Sequence, residues 1–103
     1  MFESFYERQL VYDLRQRGLH IANQVEIPVF FEDGNSEIGF RADLIVEHAV
    51  IVEIKSVQGL LPVHKKQVIT YLRLTGLKIG LLINFNEELL KNGITRLFNN
   101  FAV

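Results

Sequence analysis

The chain has 103 residues, 49% of them apolar, with 11 Lys and Arg against 12 Asp and Glu. That length supports one domain around one core, residues 1–103. The near-neutral charge excludes the broad basic surface of a tight, nonspecific nucleic-acid binder. The absence of cysteine excludes disulfides, thiolate zinc sites, iron–sulfur clusters and cysteine nucleophiles together, so any metal must be held by oxygen or imidazole. No apolar run approaches the roughly 20 residues needed to span a bilayer. The N-terminal MFESFYERQL carries acidic residues where a signal peptide would be basic, so a cytoplasmic location with no membrane partner is the expectation.

In chain order, Phe2 to Arg17 suits an amphipathic helix ended at Gly18, with Arg15 and Arg17 complementing its C-terminal dipole. His20 to Phe31 is rich in β-branched and aromatic residues and reads as a strand, with Pro28 marking an edge or a bulge. A polar turn, Glu32-Asp33-Gly34-Asn35-Ser36, follows. Gly39 to Val46 and Val50 to Val57 alternate around Glu47-His48-Ala49, the pattern of a β-hairpin. After Pro62 a second helix runs from Val63 to about Leu74 and stops at Gly76, and Lys78 to Phe85 reads as a buried strand. The tail from Glu87 to Phe98 is expected to be a short helix or irregular cap. This order predicts an α/β fold: an antiparallel meander of three strands, a helical crossover, and a fourth strand paired in parallel.

The hairpin carries the chemistry. Strict alternation puts Arg41, Asp43 and Ile45 on one face of the first strand, and Ile51, Glu53 and Lys55 on one face of the second. With a three-residue connector, Asp43 lies directly across from Glu53, whereas a slip of one residue would drive Asp43 into the core at a cost of several kcal/mol. The apolar pattern therefore selects the register that gathers Asp43, Glu53 and Lys55. Two adjacent carboxylates repel unless a cation sits between them, and a hard divalent ion, magnesium or manganese, suits oxygen ligands. The bland alternative is a set of surface charges, with Lys55 paired to Asp43. Against it, Val50-Ile51-Val52-Glu53-Ile54-Lys55 is a run that otherwise reads as wholly buried.

Asp43, nine intervening residues and Glu53-Ile54-Lys55 resemble the motif of the PD-(D/E)xK nuclease superfamily. The element order is similar to that superfamily's restriction-endonuclease-like αβββαβ core. More closely, the chain resembles the GxxExxY family of small nucleases. The likeness runs through Glu3-Ser4-Phe5-Tyr6-Glu7, Arg41-Ala42-Asp43-Leu44, Val52-Glu53-Ile54-Lys55, Pro62-Val63-His64 and Leu81-Leu82-Ile83-Asn84-Phe85. The glycine that opens the family motif would fall before Met1, and Ala42 stands where the superfamily has proline. The resemblance implies that Asp43, Glu53 and the Ile54 carbonyl hold magnesium or manganese, and that Lys55 assists the water or the scissile phosphate. It further implies that either Glu3 or Glu7 completes the site from the first helix. A similarity to RecB-type nucleases would add Gln67 and Tyr71. The implied activity is metal-dependent hydrolysis of nucleic acid, DNA being the expected polymer.

Each supporting residue also has an ordinary reading. Glu3 and Glu7 share a helix side with Tyr6, Leu10 and Leu14, yet acidic residues in a first turn also offset the dipole. Gln67 and Tyr71 are one turn apart and can bind phosphate, or the Tyr can simply pack on the sheet. His64 at a helix start serves capping as readily as phosphate binding. Arg41, Lys65, Lys66, Arg73 and Lys78, with Arg8, Arg15 and Arg17, offer local phosphate contacts or a solvated surface. Two rival readings stand beside the nuclease: a non-catalytic nucleic-acid- or protein-binding module on the same fold, and a homodimer packed through aromatics such as Phe98 and Phe101.

Overall fold

The computed structural model describes residues 2–100. Helix α1 (Glu3–Gln16) is followed by strands β1 (Ile21–Phe30), β2 (Ser36–Val46) and β3 (Val50–Lys55). Helix α2 (Pro62–Thr75), strand β4 (Ile79–Asn84), a 3₁₀ turn (Leu90–Gly93) and strand β5 (Ile94–Phe98) complete the order. The five strands form one mixed sheet in sequence order, β1-β2-β3-β4-β5. β1–β2 and β2–β3 are antiparallel, β3–β4 is parallel across the α2 crossover, and β4–β5 is antiparallel. Pro28 sits on the edge strand β1, beside a register shift at Ile27/Pro28, which is where a residue lacking an N–H belongs.

The two helices cover opposite faces of the sheet. Tyr6, Leu10, Val11 and Leu14 of α1 pack over Ile21, Leu44, Val52, Ile54 and Ile83. Val68, Tyr71 and Leu72 of α2 pack over Ile27, Ala42, Ile51 and Leu82. Pro62 occupies the first turn of α2, and Gly76, at φ 76°, ends it by donating its N–H to the Leu72 carbonyl at 2.9 Å, a left-handed cap that favours glycine. Gly80 lets α2 lie close, because a Cβ there would come 2.6 Å from Val68 Cγ1.

Two expectations need correction. The tail from Glu87 to Phe98 holds a short helix, the 3₁₀ turn Leu90–Gly93, but ends in a strand rather than an irregular cap. Ile94-Thr95-Arg96-Leu97-Phe98 alternates like a half-buried strand, and pairing with β4 satisfies what would be an open edge. Gly93 allows the approach, because a Cβ there would strike the Asn84 carbonyl. Phe98 is exposed, and Phe101 lies outside the described residues. Strict alternation also fails in β2: Leu44 belongs to the α1-side cluster but Ala42 to the α2-side cluster. β1 switches in step, with Ile21 on the α1 side and Ile27 on the α2 side, and between them Gln24 holds φ 51°. A left-handed residue in one strand turns both strands over at the level of Asp43. Arg41 consequently leaves Asp43's company and meets Glu26 at 3.8 Å with both side chains more than half exposed, a pairing of little energetic weight.

Candidate active site

The hairpin's closed end fixes its register. Glu47 and His48 both have φ 54°, and the Ala49 N–H reaches the Val46 carbonyl at 3.0 Å. Positive φ normally calls for Gly or Asn, so the turn needs support from outside itself. Glu47 provides it twice: its N–H donates to the His20 carbonyl at 2.8 Å, and its carboxylate accepts the His20 N–H at 2.8 Å. The His20 and His48 rings stack at 4.4 Å. From this anchor the pairing runs Val46↔Val50, Ile45↔Ile51, Leu44↔Val52, and one further step sets Asp43 across from Glu53.

At that step side chains replace the backbone ladder. The Asp43 N–H donates to Glu53 Oε1 at 2.7 Å, and the Ile54 N–H donates to Asp43 Oδ2 at 2.8 Å. Glu53 is only 3% exposed, which rules out the surface-charge reading. Burial pushes its carboxyl up to about 8, the facing Asp43 carboxylate pushes the same way, and the Asp43 N–H and Lys55 pull back. Lys55 lies two residues on, half-buried, on the same face of β3.

The helices close on this pair from both sides. Gln24 Nε2 donates to Glu7 Oε1 at 2.7 Å and reaches Asp43 Oδ1 at 3.4 Å, so Gln24 links α1 to the hairpin. Burial raises the Glu7 carboxyl, Gln24 draws it back, and the Asp43 charge raises it again. Glu3 is engaged elsewhere, accepting the Ser56 N–H at 3.0 Å where β3 ends. Of the two candidate helix carboxylates, Glu7 is the one brought to Asp43. From α2, Tyr71 is buried, 2% exposed, with the Gln67 side chain near its hydroxyl. Burial pushes that hydroxyl up to about 12, with the Glu53 and Asp43 carboxylates adding to the effect, so the phenol stays protonated beside them.

His64 follows its ordinary reading. Its Nδ1 accepts the Leu61 N–H at 2.9 Å and its own N–H donates to the Leu61 carbonyl at 3.0 Å, closing the N-terminus of α2. It also lines an open groove of about 510 Å³ with Lys55, Lys66, Gln67, Thr70, Val63 and Phe40. Sequence reasoning missed three residues here. Gln24 had one signal, a polar Asn23-Gln24 pair inside an otherwise β-rich run. Asn84, 1% exposed, accepts the Val57 N–H at 3.0 Å and donates to the Val57 carbonyl at 2.9 Å, steering the chain as it leaves β3; an Asn ending an apolar strand was its signal. Phe40 had none.

Among the described residues no group of three or more His, Cys, Asp or Glu converges closely enough to hold a metal by itself. The donor chemistry nevertheless fits a hard divalent ion. Magnesium commonly takes one or two carboxylates and fills its other positions with water and substrate phosphate. Two facing carboxylates, one buried and proton-hungry, form a pair that a cation relieves. The Ile54 N–H is committed to Asp43.

The crystal structure of SSO0001 superposes with a TM-score of 0.67 at 24% identity, over 97% of this chain and 50% of that one. This chain thus spans about half the length of that protein, and the likeness is one of fold. No curated protein matches. The family model described as the PD-(D/E)XK nuclease superfamily matches residues 1–97, a span that takes in both helices, all of β1 to β4 and every candidate site residue. The chain belongs to the PD-(D/E)XK nuclease superfamily.

Proposed function

We infer that the chain is a metal-dependent nuclease that hydrolyses phosphodiester bonds in nucleic acid, DNA being the expected polymer and magnesium or manganese the ion. The observation that carries this reading is the crosswise Asp43–Glu53 pair with Lys55 on the same strand face. Use of divalent ions is general in the superfamily, and here Asp43, Glu53 and the Ile54 carbonyl are the groups that would hold one. When bound, the ion supplies charge neutralisation at the phosphate and makes water a better nucleophile at neutral pH.

The chain's own residues do the rest. Lys55 sets an ammonium where negative charge grows on the phosphate, and it orients the incoming water. Glu7, linked to Asp43 through Gln24, adds a third carboxylate at hydrogen-bonding remove and holds water on that side. Tyr71, protonated and buried, caps the carboxylates from the α2 side and keeps bulk water from them. Glu3 fixes the exit of β3 through Ser56, which holds Lys55 in place.

The test is cleavage of single- and double-stranded DNA and RNA in magnesium, manganese and EDTA, by the parent and by Asp43→Asn and Lys55→Ala preparations shown to be folded by circular dichroism. Cleavage that needs the ion and drops at least about a hundredfold in both variants supports the reading. Turnover indifferent to EDTA and to both substitutions overturns it.

A further inference from the structure

Phe40 stands at the border of two open grooves. One, about 510 Å³, runs from Lys55 along the first turns of α2 past Lys66, Gln67 and Thr70. The other, about 260 Å³, lies on the far side with Ile38 and Arg41. Phe40 is 37% exposed, and its ring meets that of Tyr71 edge-on, with centroids 5.5 Å apart at 60°. Tyr71 in turn feels the charges of Glu53 and Asp43. An aromatic ring in contact with Tyr71 therefore lines a groove that also carries Lys55 and Lys66.

We propose that Phe40 is a base-stacking platform and that the groove between β2 and α2 takes an unpaired segment of the nucleic-acid substrate, with Lys55 and Lys66 on its phosphates. The proposal rests on the nuclease reading above and deepens it by naming the substrate class. Three features favour a single strand over a duplex. Stacking on an aromatic ring needs a base free of its partner, and paired bases in a duplex are sequestered. Tight duplex binding draws on many phosphate contacts, whereas a chain with 11 basic against 12 acidic residues has few to give. A groove combining lysines with one aromatic face is the construction that binds single strands with little sequence preference.

The sequence contains no tryptophan, so Phe40→Trp introduces a single indole reporter at the platform. In an Asp43→Asn background that prevents cleavage, oligothymidylate is expected to quench this fluorescence saturably, and a blunt hairpin duplex is expected to leave it unchanged. In anisotropy titrations Phe40→Leu, which keeps apolar bulk, weakens oligothymidylate binding about tenfold, and Phe40→Tyr restores it. Equal quenching by the duplex, or unchanged affinity in folded Phe40→Leu, overturns the proposal. The parent's cleavage assay separates the two levels: a parent that cleaves duplex while Phe40→Leu changes nothing loses only the platform, and a parent that neither binds nor cleaves any nucleic acid loses both.

Discussion

Asp43 and Glu53 hold each other's strands crosswise, each carboxylate accepting a backbone N–H from the opposite strand at 2.8 and 2.7 Å. Two acidic side chains thereby do the work of the ladder at the candidate cation site. Under the proposed function, structural and chemical duties fall on the same atoms.

Without metal, stability should fall as pH rises. The Glu53 carboxyl sits near 8 in the folded chain against an ordinary 4.5. Between those values the folded state keeps a proton that the unfolded state has lost. Its contribution is fully present below 4.5 and is lost as pH climbs through 8, with a slope of at most about 1.4 kcal/mol per pH unit. Urea titrations at pH 5, 7 and 9 in EDTA measure it. Glu53→Gln keeps an oxygen for the Asp43 N–H and removes the charge, so its profile should be flatter; a parent already flat from pH 5 to 9 refutes the account.

Magnesium should reverse that loss. An ion on the Asp43–Glu53 pair displaces the Glu53 proton, so the rise in melting temperature with magnesium should be larger at pH 8 than at pH 6 and absent in Glu53→Gln. Calorimetric titration in two buffers of different ionisation enthalpy reads the released proton directly.

Gln24→Gly separates the α1 link from the fold. Glycine adopts φ 51° without strain, so stability should stay within about 1 kcal/mol of the parent, while the tie from Glu7 to Asp43 is gone. Magnesium affinity should weaken about three- to tenfold, equivalent to losing about 1 kcal/mol of positioning. A large loss of stability with unchanged affinity would show that Gln24 serves the backbone alone.

Asn84→Leu should be among the most damaging substitutions outside the carboxylate pair. It strands the Val57 N–H and carbonyl, at about 1–3 kcal/mol for each buried group left unpaired. Chemical denaturation should register the loss, and Asn84→Asp, which keeps the acceptor but not the donor, should recover part of it.

Much of this was legible beforehand because packing and chemistry pointed the same way. The apolar alternation of β3 and the connector Glu47-His48-Ala49 fixed the register that joins Asp43 to Glu53, and the structure has it. Pro28 marked the edge strand and Gly76 the end of α2. Less was legible where a single backbone angle decides. Nothing in Asn23-Gln24-Val25 announces a left-handed φ, so the facing switch that separates Arg41 from Asp43 was hidden, and only the polar Asn23-Gln24 pair hinted at the Gln24 link. The β5 strand was misread because a five-residue segment after a turn has too few positions to declare a period; its partner edge on β4 decides the outcome.

The sequence-ordered sheet has a kinetic corollary. Every strand pairs with its neighbour in the chain, and the β2–β3 hairpin closes over a connector of only three residues, so its loop entropy is small and its formation early. Asp43 and Glu53 should thus meet before α1 and α2 arrive to bury them. In the nascent hairpin that encounter is repulsive unless a proton or an ion screens it. Refolding should therefore accelerate with falling pH or added magnesium, the candidate site pair itself setting part of the barrier the chain crosses on its way to the native state.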